Sequence, residues 1–159
     1  MLTTRRCLLS AARNPDLDES DWERLLGDWF GVDQVHWLDH GRLEGDDTDG
    51  HVDMLARFAP EDTILHASCD DPNDPHHSWL GELAAELKAL RTRASQPYRL
   101  LPLPLPPAIL DREGRRLPAS YANFLVINDA VLVPSYGASD HDTYAVSYTH
   151  LTLPTNREV

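Results

Sequence analysis

The chain of 159 residues has few cysteines and no long apolar run. It lacks the roughly eighteen consecutive apolar residues that a membrane-spanning helix needs. Its first residues, Met-Leu-Thr-Thr-Arg-Arg, also lack the apolar core and small-residue cleavage site of a signal peptide. Cys7 and Cys69 allow one disulfide at most, so we expect two reduced thiols in a cytoplasmic protein.

Basic residues are also scarce. Lysine and arginine number 14 against 26 aspartates and glutamates, which gives a formal net charge of -12. A surface of this sign repels nucleic acid and anionic membranes, and it favours cationic ligands. The apolar content of 42% is enough for a packed core and too high for a disordered chain. We therefore expect a globular protein, or a piece of one, that binds neither nucleic acid nor membrane.

Apolar periodicity predicts alternating strands and helices. The predicted strands are short apolar or alternating runs, and they cover residues 6–10, 35–38, 52–58, 63–67, 99–101, 121–127 and 131–134. One helix is predicted between Asp18 and Gly31, and a second between Pro75 and Pro97. The prolines after residue 101 predict an extended segment with few ladder hydrogen bonds. The predicted class is α/β or α+β, built of repeated small modules.

The most informative segment is residues 37–53, which ends in Asp-Gly-His-Val-Asp. If Val52 begins a strand, His51 and Asp53 are two positions apart and project on the same face. An imidazole and a carboxylate would then share one pocket. A purely structural role for His51, as a polar residue at a strand start, is the alternative. The loop before them crowds four further carboxylates, an arrangement that suits a guanidinium cation: Glu44, Asp46, Asp47 and Asp49.

Metal binding is the competing interpretation of this acidic loop. Asp47-x-Asp49-Gly50 is similar to part of a calcium-binding EF-hand. With Gly50 at the sixth loop position, however, Gly45 and Ala56 stand where the first aspartate and the bidentate glutamate should be. The histidines follow no recognised zinc-ligand spacing. We expect neither a metal nor another cofactor.

Seven motifs in order resemble the agmatine deiminase family. They are Cys7-Leu-Leu-Ser-Ala-Ala-Arg-Asn-Pro15, Trp37-Leu-x-His40-Gly41, Gly45-Asp-Asp-Thr-Asp-Gly-His-Val-Asp53, Leu55-Ala-Arg-Phe58, Asp70-Asp-Pro-Asn-Asp-Pro75, Leu103-Pro-x-Pro-Pro107 and Ser120-Tyr-Ala-Asn-Phe124. The resemblance implies the α/β propeller of the guanidine-modifying pentein superfamily. The chain would supply about two to three of its five ββαβ-type modules.

The resemblance also implies a chemistry. Family members hydrolyse agmatine to N-carbamoylputrescine and ammonia, a step of putrescine and polyamine metabolism, through a covalent intermediate on a cysteine. By motif match, His51 would be the general acid/base and Asp53 the carboxylate that grips the guanidinium. Asn123 matches a position near the substrate pocket, with capping of a strand end as the structural alternative. The implied partner is a small cationic guanidine, and a homo-oligomer of the longer protein is compatible with it.

Two expected parts of the family site have no match. The nucleophilic cysteine lies near the family's C-terminus in a glycine-rich segment ending in His-Cys, and a second aspartate lies in an N-terminal Trp-x-Arg-Asp-type motif. Cys7 is expected in a buried strand and Cys69 beside Asp70 and Asp71, so neither is the expected nucleophile. We therefore expect an internal fragment that is inactive alone. The alternatives are a peptidylarginine deiminase of the same branch and a non-catalytic guanidinium-binding module.

The last residues differ in character from the rest. Residues 147–159 break the acidic composition, show no amphipathic period and look like translated sequencing-adapter DNA. We expect residues 2–146 to be a fragment of one propeller domain and residues 147–159 to be a non-native tail.

Overall fold

A computed structural model describes residues 1–128 and 130–137. The strands are β1 (Leu2–Thr4), β2 (His36–Leu38), β3 (Ala56–Ala59), β4 (Thr63–Ser68), β5 (Arg99–Pro104), β6 (Ile109–Leu110), β7 (Arg116–Leu117), β8 (Leu125–Ile127) and β9 (Ala130–Leu132). The helices are α1 (Arg5–Leu8), α2 (Glu19–Phe30) and α3 (His76–Ala89), with one 3-10 turn at Val52–Met54. The tail expected at residues 147–159 lies outside the described residues.

Two parallel strand pairings organise the chain. β1 pairs in parallel with β2, and α1 and α2 form the connection between them. In the three-stranded sheet β4 is central, antiparallel to β3 and parallel to β5. Because α3 connects β4 to β5, residues 56–104 form one ββαβ unit. The mixed α/β class expected from the sequence is confirmed.

The core lies on both faces of β4. On one face, Leu80, Leu83 and Leu87 of α3 are fully buried and belong to the same cluster as Ile64. On the other, Leu65 packs with Leu103, Tyr121, Ala122 and Phe124. A central strand covered on both sides reads as a continuous apolar run, which explains why residues 63–67 show no polar alternation.

Most predicted elements are confirmed: α2, β2, the hairpin of β3 and β4, α3, β5 and the hairpin of β8 and β9. The strand predicted at residues 121–127, however, covers only Leu125–Ile127. Asp18 caps α2 with a reciprocal capping box to Asp21, and Gly31 ends it in the left-handed conformation at φ 65°. In the described part of the chain, no helix is long and apolar enough to span a membrane.

The strand predicted at residues 6–10 is wrong. The strand ends at Thr4, and α1 follows because the Thr4 hydroxyl accepts a hydrogen bond from the backbone N–H of Cys7 at 3.2 Å. A side chain that satisfies a free helical N–H favours a helix start over continued extension. Cys7 is therefore half-buried in a short helix, not buried in a core strand.

The strand predicted at residues 52–58 begins only at Ala56. Met54 and Leu55 instead donate backbone hydrogen bonds to His51 and Val52, which closes a 3-10 turn over Val52–Met54. The apolar alternation of this segment does not come from a single strand.

The extended segment predicted after residue 101 is present as far as Pro104, but it still belongs to the strand ladder. β5 pairs with β4 as far as Pro104, because it lies at the edge of its sheet and its prolines need no second partner. The β6–β7 hairpin was not predicted, although Asp111-Arg-Glu-Gly114 carries the composition of a tight turn.

The core assignment can be tested at Leu83, which is 0% exposed. We predict that Leu83→Ala lowers the free energy of unfolding by about 3 kcal/mol, because the cavity cannot close fully. Glu82→Ala, on the exposed side of the same turn, should change it by less than about 0.5 kcal/mol. Equal losses for the two variants in denaturant titrations would contradict the described core.

Candidate functional site

The chain that leads into the acidic segment at residues 44–53 is attached to α3. Glu86 accepts hydrogen bonds from the backbone N–H groups of Asp39 and His40 at 2.8 and 3.0 Å. The same carboxylate lies 3.3 Å from Nδ1 of His40. The chain leaving β2 is therefore held to the helix before the acidic loop begins.

Asp46 organises the loop internally. Its carboxylate accepts hydrogen bonds from the hydroxyl and backbone N–H of Thr48 and from the N–H of Gly50. Burial raises the pKa of Asp46, but these hydrogen bonds outweigh it and leave the pKa below its ordinary value. The Thr4 hydroxyl donates to the Gly50 carbonyl at 2.7 Å and ties the loop to β1. The carboxylate of Asp46 thus accepts its hydrogen bonds from within its own loop.

A buried histidine holds the start of the loop at Glu44. His76, 2% exposed, accepts the backbone N–H of Glu44 at Nε2, at 2.9 Å. Because Nε2 is the acceptor there, the ring proton lies on Nδ1 and is donated to Asp74 at 2.6 Å. Arg116 donates to the other oxygen of Asp74 at 2.7 Å. One connected network therefore joins α3, β7 and the acidic loop.

Asp74 is the charged centre of this network. Burial raises its pKa, but hydrogen bonds from the backbone N–H of His76, from Arg116 and from the His76 ring lower the pKa to about 2. The carboxylate is therefore ionised over the whole physiological range and balances the Arg116 guanidinium.

His51 and Asp53 do not lie on a strand, so the argument that placed them on one face is wrong. His51 immediately precedes the 3-10 turn, and Asp53 is its middle residue. Both side chains are half-buried. The His51 ring instead lies against Arg13, whose Nη1 is 3.3 Å from Nε2 of His51.

Asn123 lies beside the same turn. Its side-chain Nδ2 is 3.3 Å from the sulfur of Met54, although 69 positions separate the two residues. The turn that carries Asn123 is fixed by buried Ser120, whose hydroxyl accepts the N–H of Ala122. The structure thus brings Asn123 next to the segment of His51 and Asp53, and its side chain is exposed.

Both cysteines are free thiols that favour the protonated form. Burial raises the pKa of Cys7, and nearby carboxylates including Asp49 and Asp53 raise it further, against a lowering by Arg13. Burial also raises the pKa of Cys69, as do Asp74 and Asp71. The like-charge effect expected at Cys69 is therefore present, and neither thiol has the environment of an activated nucleophile.

Several residues of this region were not predicted from the sequence: Arg13, Asp74, His76, Glu86 and Arg116. Each of these residues makes a hydrogen bond or close polar contact with a residue at least 32 positions away in the sequence. Among residues 1–128 and 130–137, no group of three or more His, Cys, Asp or Glu side chains is arranged to hold a metal ion.

Comparisons with known proteins agree on one family. A family model described as Porphyromonas-type peptidyl-arginine deiminase matches residues 1–159. An agmatine deiminase of Pseudomonas savastanoi pv. phaseolicola is 36% identical over 155 residues, which is 86% of this chain and 41% of that protein. The chain thus spans about two fifths of the length of the curated relatives it matches.

Solved structures show the same likeness. The structure of C. jejuni agmatine deiminase with substrate bound is 40% identical, has a TM-score of 0.82, and is matched over 94% of this chain and 43% of that one. The Enterococcus faecalis agmatine deiminase is 28% identical, with a TM-score of 0.77 over 93% of this chain and 45% of that one.

The close packing of the acidic loop can be tested at Gly45. A Cβ there would lie 2.2 Å from the carbonyl oxygen of Arg116, and φ is +81°. Gly114 has a similar φ of +79° but open space around it. We predict that Gly114→Ala costs about 1 kcal/mol of unfolding free energy from backbone strain alone. Gly45→Ala should cost at least about 2 kcal/mol more, because the loop must move off β7. Equal costs would contradict the contact.

Asp74 provides a test by pH. A pKa lowered from 3.8 to about 2 in the folded state stabilises the fold above pH 4, and this stabilisation disappears as pH falls towards 2. We predict that Asp74→Asn lowers the unfolding free energy by about 2 kcal/mol near pH 6, with the difference from wild type shrinking to near zero at about pH 2. Asp71→Asn in the same loop is the control, since Asp71 has no ion pair among the described residues. A difference that does not depend on pH would contradict this account.

Proposed function

The chain belongs to the Porphyromonas-type peptidyl-arginine deiminase family, and from its similarity to agmatine deiminases we propose that it is a segment of such an enzyme. Such an enzyme hydrolyses agmatine to N-carbamoylputrescine and ammonia. The observation that carries the proposal is the similarity to agmatine deiminases along the described chain, combined with a half-buried His51 and Asp53 in a segment rich in carboxylates. A net charge of -12 supports a cationic substrate.

The proposed reaction uses a cysteine thiolate that another part of the longer protein supplies. The sulfur attacks the guanidinium carbon and forms a C–S bond, and the C–N bond breaks as protonated His51 donates a proton to departing ammonia. Neutral His51 then takes a proton from water, whose oxygen attacks the same carbon. The C–S bond breaks as the second proton of the attacking water is lost to solvent, which releases the neutral ureido product and restores the thiolate and protonated His51.

Asp53 would bind the guanidinium N–H groups and hold the planar group for attack. Asn123, next to Met54, would contribute a polar contact at the edge of the same pocket. Neither Cys7 nor Cys69 has a lowered thiol pKa, which supports a nucleophile outside this chain. The chain alone would then be inactive. No cofactor enters the proposed reaction.

The proposed architecture is a partial pentein propeller in which residues 2–146 form part of one domain. The ββαβ unit from β3 to β5 would be one complete module. The β1–β2 pair and the β8–β9 hairpin would belong to its two neighbours, which gives about two to three modules of five. Residues 147–159 would be a non-native tail.

A peptidylarginine deiminase is the second candidate, because the matching family model carries that description. The two candidates share the guanidinium chemistry and differ in what the guanidine is attached to. A non-catalytic guanidinium-binding module is the third, and it is compatible with two thiols whose pKa values are raised.

The proposal is tested by ammonia release from agmatine and from an arginine-containing peptide blocked at both ends. We predict that the longer protein uses agmatine, that the 159-residue chain alone uses neither, and that His51→Ala and Asp53→Ala in the longer protein lower kcat/KM by at least about 100-fold. Loss of an acid/base group or of a guanidinium ligand acts on the transition state, which accounts for a loss of this size.

His77→Ala and Asp16→Ala are the matched controls, because both side chains are exposed and neither is hydrogen-bonded to residues 51–54 in the described part of the chain. These variants should retain activity. Turnover of the peptide but not of agmatine would assign the second candidate, and a longer protein without turnover would favour the binding module. Activity that does not respond to substitution of either His51 or Asp53 would contradict the assigned roles.

A further inference from the structure

All three guanidinium nitrogens of Arg13 contact the segment of residues 48–51. Nε donates to Oδ2 of Asp49 at 3.1 Å, and Nη2 donates to the carbonyl oxygen of Thr48 at 3.3 Å. The remaining arm, Nη1, lies 3.3 Å from Nε2 of His51. The backbone of Arg13 is held in turn, because Arg13 and Asn14 both donate to the Ser10 carbonyl at 2.9 Å.

The contact between Arg13 and His51 has only one chemical arrangement. A guanidinium has five N–H donors, no acceptor, and keeps its proton at every accessible pH. His51 must therefore be the acceptor, which requires an unprotonated Nε2. A neutral imidazole with a free Nε2 carries its proton on Nδ1.

A proton at Nε2 would place one N–H donor opposite the N–H donor of Arg13, and the hydrogen bond would be lost. Nε2 is the basic nitrogen of this tautomer, so the atom with which neutral His51 would accept a proton is the atom that Arg13 covers. Arg13 therefore does more than hold the loop in place.

We propose that Arg13 is a positioning residue that covers the basic nitrogen of His51, so that His51 accepts a proton only after the Arg13 arm has moved away. The proposal concerns an atom of His51, and its catalytic meaning rests on the proposed function. An incoming guanidine presents the same N–H donors as Arg13. It is therefore the class of ligand that can replace the arm on these acceptors as the site is loaded.

The ring nitrogen can be tested directly in the 159-residue chain. Diethylpyrocarbonate acylates unprotonated imidazole nitrogen, and peptide mapping by mass spectrometry gives its rate at each histidine. At about pH 8, where an ordinary histidine is neutral, His51 should react more slowly than exposed His77. Arg13→Met should raise the rate at His51 about fivefold, the factor that one hydrogen bond of ordinary net strength represents.

Arg24→Met is the matched control, because Arg24 is an exposed arginine paired with Asp21 on α2. It should leave the rate at His51 unchanged, and neither variant should alter the rate at His77. A wild-type His51 that reacts as fast as His77, or a rate at His51 that does not respond to Arg13→Met, would overturn the proposal.

The tautomer of His51 provides a second test, and this test is made on the wild-type chain. Long-range ¹H–¹⁵N spectra of the histidine-labelled wild-type chain, assigned with His51→Gln, should show the proton on Nδ1. A proton on Nε2 would overturn the proposal even if Arg13→Met were unstable. Neither measurement depends on catalysis, so both can fail while the longer protein is still a deiminase, or succeed if it is not.

Discussion

The carboxylates between residues 44 and 53 repel one another, and the rest of the site depends on how this repulsion is balanced. Backbone N–H groups and the Thr48 hydroxyl surround Asp46, while Arg13 neutralises Asp49. Buried His76 then attaches the start of the loop to α3 through the N–H of Glu44. The loop is thus held mainly by donors from the protein itself.

This balance separates carboxylates with structural roles from those open to a ligand. Asp46 and Asp74 are each used by several donors of the protein, and their lowered pKa values reflect those hydrogen bonds. Asp53 lies in a half-buried 3-10 turn at the end of the loop, next to His51, whose Nε2 is 3.3 Å from Nη1 of Arg13. A guanidine has the charge and the N–H donors to bind where such groups converge.

The sequence predicted the elements whose signals are local and long. The capping box at Asp18 and the leucine spacing of α3 were sufficient, as were the turn residues between β3 and β4. The sequence did not predict the local structure where a single hydrogen bond decides between a strand and a helical turn. The Thr4 hydroxyl converts an apolar run into α1, and the 3-10 turn at Val52–Met54 has the same alternation as a strand. His51, Asp53 and Asn123 were identified by motif resemblance, but Arg13 and His76 act across distances that no local pattern encodes.

We propose that the segment around His51 and Asp53 recognises a guanidinium group. Chemical-shift changes of the ¹⁵N-labelled chain on titration with agmatine, compared with putrescine, test it most directly, because putrescine keeps the alkylamine and lacks the guanidinium. We predict that agmatine shifts the resonances of Asp49, His51 and Asp53, and that putrescine at the same concentration does not. Equal shifts with both ligands, or shifts confined to other parts of the chain, would contradict it.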